Sequence, residues 1–441
     1  MKKDLTQGSV TKTMLLFAGP MILGNLLQQC YNIADTFIVG KFIGADALAA
    51  VGSAYTLMTF LTSILIGLCM GSGALLSSYF GGKKFEQLRE CASISFLMIG
   101  MIAIVINVLV FLLLNPILHL LNVPSEIYGV MRNYVWVIFW GIFFVFLYNY
   151  FSFLLRALGN SFVPLCFLGI SAVLNIVLDL IFVIVFQWGV EGAAGATVIA
   201  QIFSGVGLGI YAWIQEPECH PVKSLKNEKK SLILQIFRHS FASCIQQSVM
   251  NFGILMIQGL VNSFGTAVMA AFAAAVKIDS FAYMPAQEFG NAFSLFISQN
   301  HGANDQKRVK QGVKSAVKIS VVFCLIVSVL VYVLAPQLMT IFVEKSELQI
   351  IEIGTGYLRV EGAFYWGIGV LFLWYGYYRG IGRPEMSLVL TIISLGTRVL
   401  LAYTTAPKVG VMGIWTAIPI GWILADVTGM VYMKCISKKS E

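Results

Sequence analysis

The stretch QEPECHPVKSLKNEKKS, residues 215–231, is the one long polar interruption in an otherwise apolar chain, and it falls at the midpoint. On both sides of it, apolar runs recur that reach the roughly 20 residues a bilayer-crossing helix needs. The chain is 58% hydrophobic and only 11% charged, whereas soluble domains carry about 25% charged residues. No large soluble domain fits between the runs. These observations identify an all-α membrane protein of many spans.

Hydropathy and turn signals predict twelve transmembrane helices, at 13–39, 48–80, 90–115, 130–155, 162–186, 193–215, 234–262, 267–299, 311–335, 349–378, 385–406 and 411–434. Short Gly- or Pro-bearing connections such as GGKKFEQ, LGNSFVP and GIGRPE separate them. The expected organisation is an N-terminal six-helix lobe over 1–214, a cytoplasmic linker over 215–232 and a C-terminal six-helix lobe over 233–441. The apolar run behind the basic start MKKDLTQGSVTK is longer than a signal-peptide core and has no small-residue cleavage site after it, so it reads as the first span.

The net charge of +8 invites a nucleic-acid reading, but its placement argues for topology. With both termini in the cytoplasm, 22 of the 29 Lys and Arg residues fall on inside segments and five outside. That is the bias the positive-inside rule expects. The eight cysteines are scattered with no C-x-x-C pair, so they read as small apolar residues, neither a disulfide framework nor a zinc site.

Six spans return the chain to its starting side, so the halves are expected to share one orientation. Shifted by 221 residues without gaps, Gly44, Ala49, Ala50, Ala54, Phe60, Ser77 and Gly81 fall on Gly265, Ala270, Ala271, Ala275, Phe281, Ser298 and Gly302. Gly189 and Gly192 fall on Gly410 and Gly413, and Arg156/Gly159 recurs at Arg379/Gly382 after a small gap. Parallel repeats of this kind are a transporter plan.

Ionisable groups inside spans are rare, because a charge at mid-bilayer costs roughly 2.5–3.5 kcal/mol on insertion scales. In VLNIVLDLIF (173–182), Asn175 and Asp179 stand four apart on one helical face. In MILGNLLQQCYNIADTFIVG (21–40), Asn25, Gln28, Asn32 and Asp35 are spaced +3, +4, +3 along another. Span 6 adds Thr197, one turn before Gln201. Together these make an oxygen-rich set with two carboxylates, suited to protons or to a hard cation. The competing reading is hydrogen-bond glue between helices, which neutral side chains supply at lower cost. At the 221 offset Asp35 maps to Met256 and Asp179 to Leu400, so the second half carries no equivalent pair. It has instead Lys277, Asp279 and Glu288 in span 8, Arg398 in span 11 and Asp426 in span 12. Lys277 has Asp279 and Glu288 as candidate partners for a structural ion pair, and a cavity-lining role is the equal alternative. Pro20 removes one backbone hydrogen bond and should kink span 1.

The runs DTFIVGKFIGADALAAVG (35–52), LLRALGNSFVP (154–164), LNIVLD (174–179), GVEGAAGATVIAQ (189–201), RGIGRPE (379–385) and GVMGIWTAIPIGW (410–422) resemble the MATE (multidrug and toxic compound extrusion) family. The resemblance covers essentially the whole chain. It implies two six-helix lobes forming a V around a central cavity, and export of organic, mostly cationic compounds in exchange for H⁺ or Na⁺. In the branch with its coupling site in the N-terminal lobe, the matching positions here are Asp35, Asn175, Asp179 and Thr197, the set that would also hold Na⁺. Pro20 matches that branch's hinge. Another branch uses acidic residues in spans 7 and 10, where this chain has Gln258 and the neutral run LFLWYGYY.

The expectation is therefore a plasma-membrane antiporter, monomeric, with no cofactor beyond the coupling ion. Its cavity candidates are Gln28, Asn32, Lys277, Asp279 and Glu288. A flippase for lipid-linked glycan precursors is the alternative; it would carry more cationic cavity residues to hold pyrophosphate. A membrane-embedded enzyme lacks support: there is no D-D-x-x-D, no serine elbow, and His119, His220, His239 and His301 do not cluster.

Overall fold

The computed structural model describes residues 3–120, 123–217, 220 and 229–440, so most of the predicted linker lies outside the described residues. Among the described residues, eleven helices are long and apolar enough to cross a membrane. In chain order the helices are α1 (Val10–Phe42), α2 (Ala45–Gly81), α3 (Phe85–Leu112), the short α4 (Leu114–Leu120), α5 (Ser125–Ile138), α6 (Ile142–Ala157), α7 (Phe162–Asp179), α8 (Gly189–Gln215), α9 (Lys229–Asn262), α10 (Thr266–Gly302), α11 (Gln306–Met339), α12 (Leu348–Gly362), α13 (Tyr365–Gly380), α14 (Pro384–Val409) and α15 (Val411–Ser440).

These helices cover all twelve predicted spans, with three departures from regularity. The fourth span is α5 and α6 joined through a 3₁₀ turn at Phe139–Gly141. The fifth ends in a π-helical turn, Leu180–Val185, immediately after Asp179. The tenth is broken into α12 and α13, which leaves neither half long enough to count as a span alone. The break is one tight turn in which Phe364 N–H donates to the Glu361 carbonyl at 2.9 Å and Gly367 N–H to that of Phe364 at 2.8 Å. Apolar periodicity cannot register such a break, because its residues are as hydrophobic as their neighbours. Through Pro20, by contrast, α1 runs on as one helix.

The repeat is visible in the backbone. Gly44 and Gly265, 221 residues apart, both take positive φ (127° and 95°) just before α2 and α10. Lys83 and Asn304, at the same offset, take the left-handed conformation (φ 56° and 61°) after those helices. Only glycine visits the first region at low cost, so the same punctuation at both turns shows one folding unit written twice.

The chain divides into two compact units. The first comprises residues 1–4 and 19–244, the second 5–18 and 245–441. In the first unit, α9 packs so closely on α2 that a Cβ at Gly67 would come within 2.6 Å of the Cys244 Cα, and one at Gly71 within 2.2 Å of the His239 carbonyl oxygen. This GLCMG stretch is a small-xxx-small motif, through which helix backbones in lipid gain contact that larger side chains would prevent. In the second unit, Gly290 and Gly376 do the same between α10 and α13.

Residues 5–8 are strapped onto the second unit. Leu5 is fully buried, its N–H donates to Gln299 Oε1 at 3.1 Å, and its carbonyl accepts from Asn300 Nδ2 at 3.2 Å. The Arg308 guanidinium donates to the carbonyls of Leu5, Gln7 and Gly8 at 3.2, 2.6 and 2.7 Å. Hydrogen bonds to a charged group contribute about 1.5–3 kcal/mol. Arg308→Ala should therefore lower stability by roughly that much, read as earlier thermal unfolding in detergent. Arg308→Lys should recover only part of the loss, since an ammonium cannot reproduce the planar fork.

Candidate functional site

Span 5 places Asn175 and Asp179 inside the first unit, 2% and 0% exposed. Valines on the opposite face look outward, with Val173 64% and Val177 46% exposed, so the helix turns a greasy side away and its polar side in. The π turn begins directly beyond Asp179. Such turns rotate the register of a helix and leave backbone groups free, and they occur often at functional sites.

Asn175 Nδ2 donates to Thr197 Oγ1 at 3.2 Å, and Thr197 Oγ1 donates to the Ala193 carbonyl at 3.2 Å. This leaves Asn175 Oδ1 buried with no donor among the described residues. Both oxygens of Asp179 and Oδ1 of Asp35 are in the same position. The two carboxyl groups lie within hydrogen-bonding reach of each other. Orphaned carboxylate oxygens in a dry interior are costly. Here three of them converge with the amide oxygen of Asn175 and a hydroxyl, and no basic side chain among the described residues acts on either acid.

The four predicted coupling residues thus sit together in one place: Asp35 on α1, Asn175 and Asp179 on α7, and Thr197 on α8. Two tyrosines join them that sequence reading passed over. Tyr134, on α5, is buried with its phenol close enough to feel both aspartates. Tyr31, one turn before Asp35 on α1, adjoins Asp35 and hydrogen-bonds Gln28. A tyrosine in an aromatic-rich membrane chain carries no signal of its own; only its place beside the carboxyl pair distinguishes it.

Among the cavity candidates, Gln28 is exposed and Asn32 half-buried on the same helix. In the second unit, Lys277 is exposed and its ammonium stands 5.9 Å from the centre of the Phe342 ring. Among the described residues it pairs with neither Asp279 nor Glu288, so of the two alternatives the structural ion pair is not formed. Asp279 is buried (4% exposed) and accepts hydrogen bonds from Tyr357, at 3.2 Å, and from Tyr365. Glu288 is half-buried and its charge acts on the buried Arg379. The positions equivalent to the first-unit acids, Met256 and Leu400, are exposed.

Among the described residues no group of three or more His, Cys, Asp or Glu side chains is arranged to hold a metal ion. The all-oxygen set around Asp179 nonetheless fits a small hard cation in donor type, with Asn175 Oδ1 as the neutral donor still uncommitted.

Comparison with known proteins agrees with this architecture. The chain is 31% identical over 396 residues to the probable multidrug resistance protein YpnP of Bacillus subtilis, covering 89% of this chain and 87% of the relative. It is 27% identical over 447 residues to the probable multidrug resistance protein YoeA of the same organism, covering 98% and 95%. Among solved structures, an outward-facing multidrug resistance MATE family transporter of the MOP superfamily superposes with a TM-score of 0.90 at 23% identity, over 98% of this chain and 96% of that one. The MatE family model matches twice, over residues 20–181 and 240–404, once in each half of the repeat. The chain therefore belongs to the MatE family of membrane transporters, and is not an enzyme.

Proposed function

We propose that the protein is a secondary antiporter that exports organic, mostly cationic compounds across the cytoplasmic membrane in exchange for H⁺ or Na⁺, with both termini in the cytoplasm. The observation that carries this reading is Asp179: fully buried, with no donor to either oxygen among the described residues, beside the carboxyl group of Asp35. Two carboxylates adjoining in a low-dielectric site repel when both are charged. A proton shared between them, or a Na⁺ held by Asp35, Asp179, Asn175 Oδ1 and Thr197 Oγ1, removes that repulsion and lets α1 settle against α7 and α8. Loss of the ion restores it and drives the helices apart. Such a switch couples ion occupancy to conformation because the ion binds the two states unequally.

The inward membrane potential assists, contributing roughly 2.3 kcal/mol per charge per 100 mV. Residues 5–18 and 19–42 fall in different units, and the division lies beside Pro20. Flexing of α1 there, where the helix lacks one hydrogen bond, is the proposed hinge. The relatives' names supply the substrate class: YpnP and YoeA are described as probable multidrug resistance proteins.

Transport of a fluorescent organic cation into vesicles, with a pH gradient and a Na⁺ gradient imposed separately, tests the reading. One of the two should drive uptake; if neither does, antiport is refuted. Asn175→Ala should keep transport but raise the ion concentration for half-maximal rate by about tenfold, the equivalent of roughly 1.4 kcal/mol for one lost oxygen ligand.

A further inference from the structure

The second unit contains its own buried carboxyl pair. Glu361, 1% exposed on the last turn of α12, lies within hydrogen-bonding reach of Asp279 on α10. Its Oε2 is buried with no donor among the described residues. Asp279 is differently placed, since two tyrosine hydroxyls, of Tyr357 and Tyr365, donate to it. The geometry points to a second proton-exchange site, at the Asp279–Glu361 pair of the second unit, with Glu361 as the group that gains and loses the proton.

Three features support this beyond the pairing itself. The first is the division of labour between the two acids. The hydroxyls of Tyr357 and Tyr365 both donate to Asp279, whereas Glu361 has only the Tyr357 hydroxyl within reach and its Oε2 has no donor among the described residues. A proton on Glu361 can be shared toward Asp279, satisfying both groups at once. The second is charge. Arg398 is the cation whose field reaches Glu361 and Tyr357. Two carboxylates and one guanidinium sum to one negative charge, which a single proton cancels, and net charge in this dry interior is costly. Other charged groups on the helices packed around α12 are directed elsewhere: Lys277 stands over Phe342, Arg359 over Tyr332, and Asp426 lies near Gly367 and Tyr375. Tyr283 of α10 completes the set facing the pair.

The third is the backbone. Glu361 and Tyr365 flank the break in the tenth span, and irregular backbone at membrane depth is tolerated where it serves a polar site. The corresponding part of the first unit is the 3₁₀ interruption at Phe139–Gly141. At the 223-residue offset that relates Arg156 to Arg379, Tyr134 falls on Tyr357. Each unit thus sets a tyrosine from its interrupted span beside a carboxyl pair, although the acids come from different positions. The pair is independent of Asp35 and Asp179; only its consequence, a second charge moved per transport cycle, rests on the antiport reading.

Infrared difference spectra of the purified full-length protein between acidic and alkaline buffers test the assignment. A carboxylic-acid C=O band that grows as pH falls should vanish in Glu361→Gln and persist in an Asp35→Asn/Asp179→Asn double variant. Tyr365→Phe, which removes one donor from Asp279, should change the pH at which that band appears. If Glu361→Gln folds and keeps every pH-dependent band, the site is refuted. It is equally refuted if the band is present at every pH, which would mark a fixed structural tie, or if Na⁺ at constant pH abolishes it, which would mark a sodium site. Should Glu361→Gln fail to fold, an unaltered band in folded Tyr365→Phe overturns the proposal. Loss of the band in the Asp35/Asp179 variant with retention in Glu361→Gln would leave the first-unit reading standing and sink only this one.

Discussion

Asp179→Asn is expected to cut gradient-driven efflux of an organic cation by about 5- to 150-fold at wild-type protein level, the range that typical coupling free energies of ~1–3 kcal/mol correspond to. Asparagine keeps the shape of the side chain and still fills the fully buried niche at the end of α7. What it removes is the capacity to take up and release a positive charge. Asp35→Asn should act in the same direction with similar size, because the two carboxyl groups lie within hydrogen-bonding reach and work as one unit. For the same reason the double variant should be little worse than either single one; groups that act together give non-additive losses. Asp46→Asn supplies the contrast. Asp46 is exposed in the first turn of α2, lining a shallow cleft with Trp188 and Glu191, and its removal should leave efflux within about twofold, as surface changes away from special features do. Dye efflux from cells, normalised to quantified membrane protein, measures all four.

Gly71→Val should be the most damaging single substitution to the fold. Its first side-chain carbon would sit 2.2 Å from the His239 carbonyl oxygen and 2.7 Å from the Ser240 Cα, both backbone atoms of α9 that no rotamer change can move aside. Overpacking of a tight core costs about 1–3 kcal/mol and sometimes more. A contact this short against backbone belongs at or above the upper end, so about 3 kcal/mol and loss of most folded protein in the membrane is the expected outcome. Gly259→Ala and Gly396→Ala make the fair comparison, since nothing lies within 4 Å of a Cβ at either place. There alanine should be neutral or slightly stabilising, helix propensity favouring it by up to about 1 kcal/mol. Size-exclusion profiles after heating, for the three variants side by side, separate the two cases.

The spans and their repetition were legible because they rest on long-range composition: apolar runs of the right length, polar turns, and glycines recurring at 221 residues. The turns at Gly44 and Gly265 carry the same backbone conformation, so the residue register and the physical register agree. Asp35, Asn175, Asp179 and Thr197 were legible for a different reason. Each is an anomaly in an apolar run, and helical spacing alone puts them on inward faces. Glu361 carries the same anomaly, but the strongly neutral run just beyond it in the tenth span masks the signal. The break between α12 and α13 gives no compositional sign, and without it nothing distinguishes Glu361 from a charge near a helix end. The ion-pair alternative for Lys277 is not realised, for a geometric reason. Asp279, two residues on, points about 200° around the helix, inward to Tyr357 and Tyr365, while Lys277 faces out. Tyr134 and the glycine contacts of α2 with α9 depend on which helices become neighbours, which spacing within one helix does not state.

The central claim is that the carboxyl pair of the first unit carries the ion and not the substrate. The most direct measurement compares two activities of the same reconstituted variant: exchange of labelled for unlabelled substrate at equilibrium, and ion movement driven by an imposed substrate gradient, followed with an internal pH or Na⁺ indicator. Asp35→Asn and Asp179→Asn should keep substrate exchange while losing substrate-driven ion movement. Ion movement that survives at the wild-type rate in both variants would contradict the account.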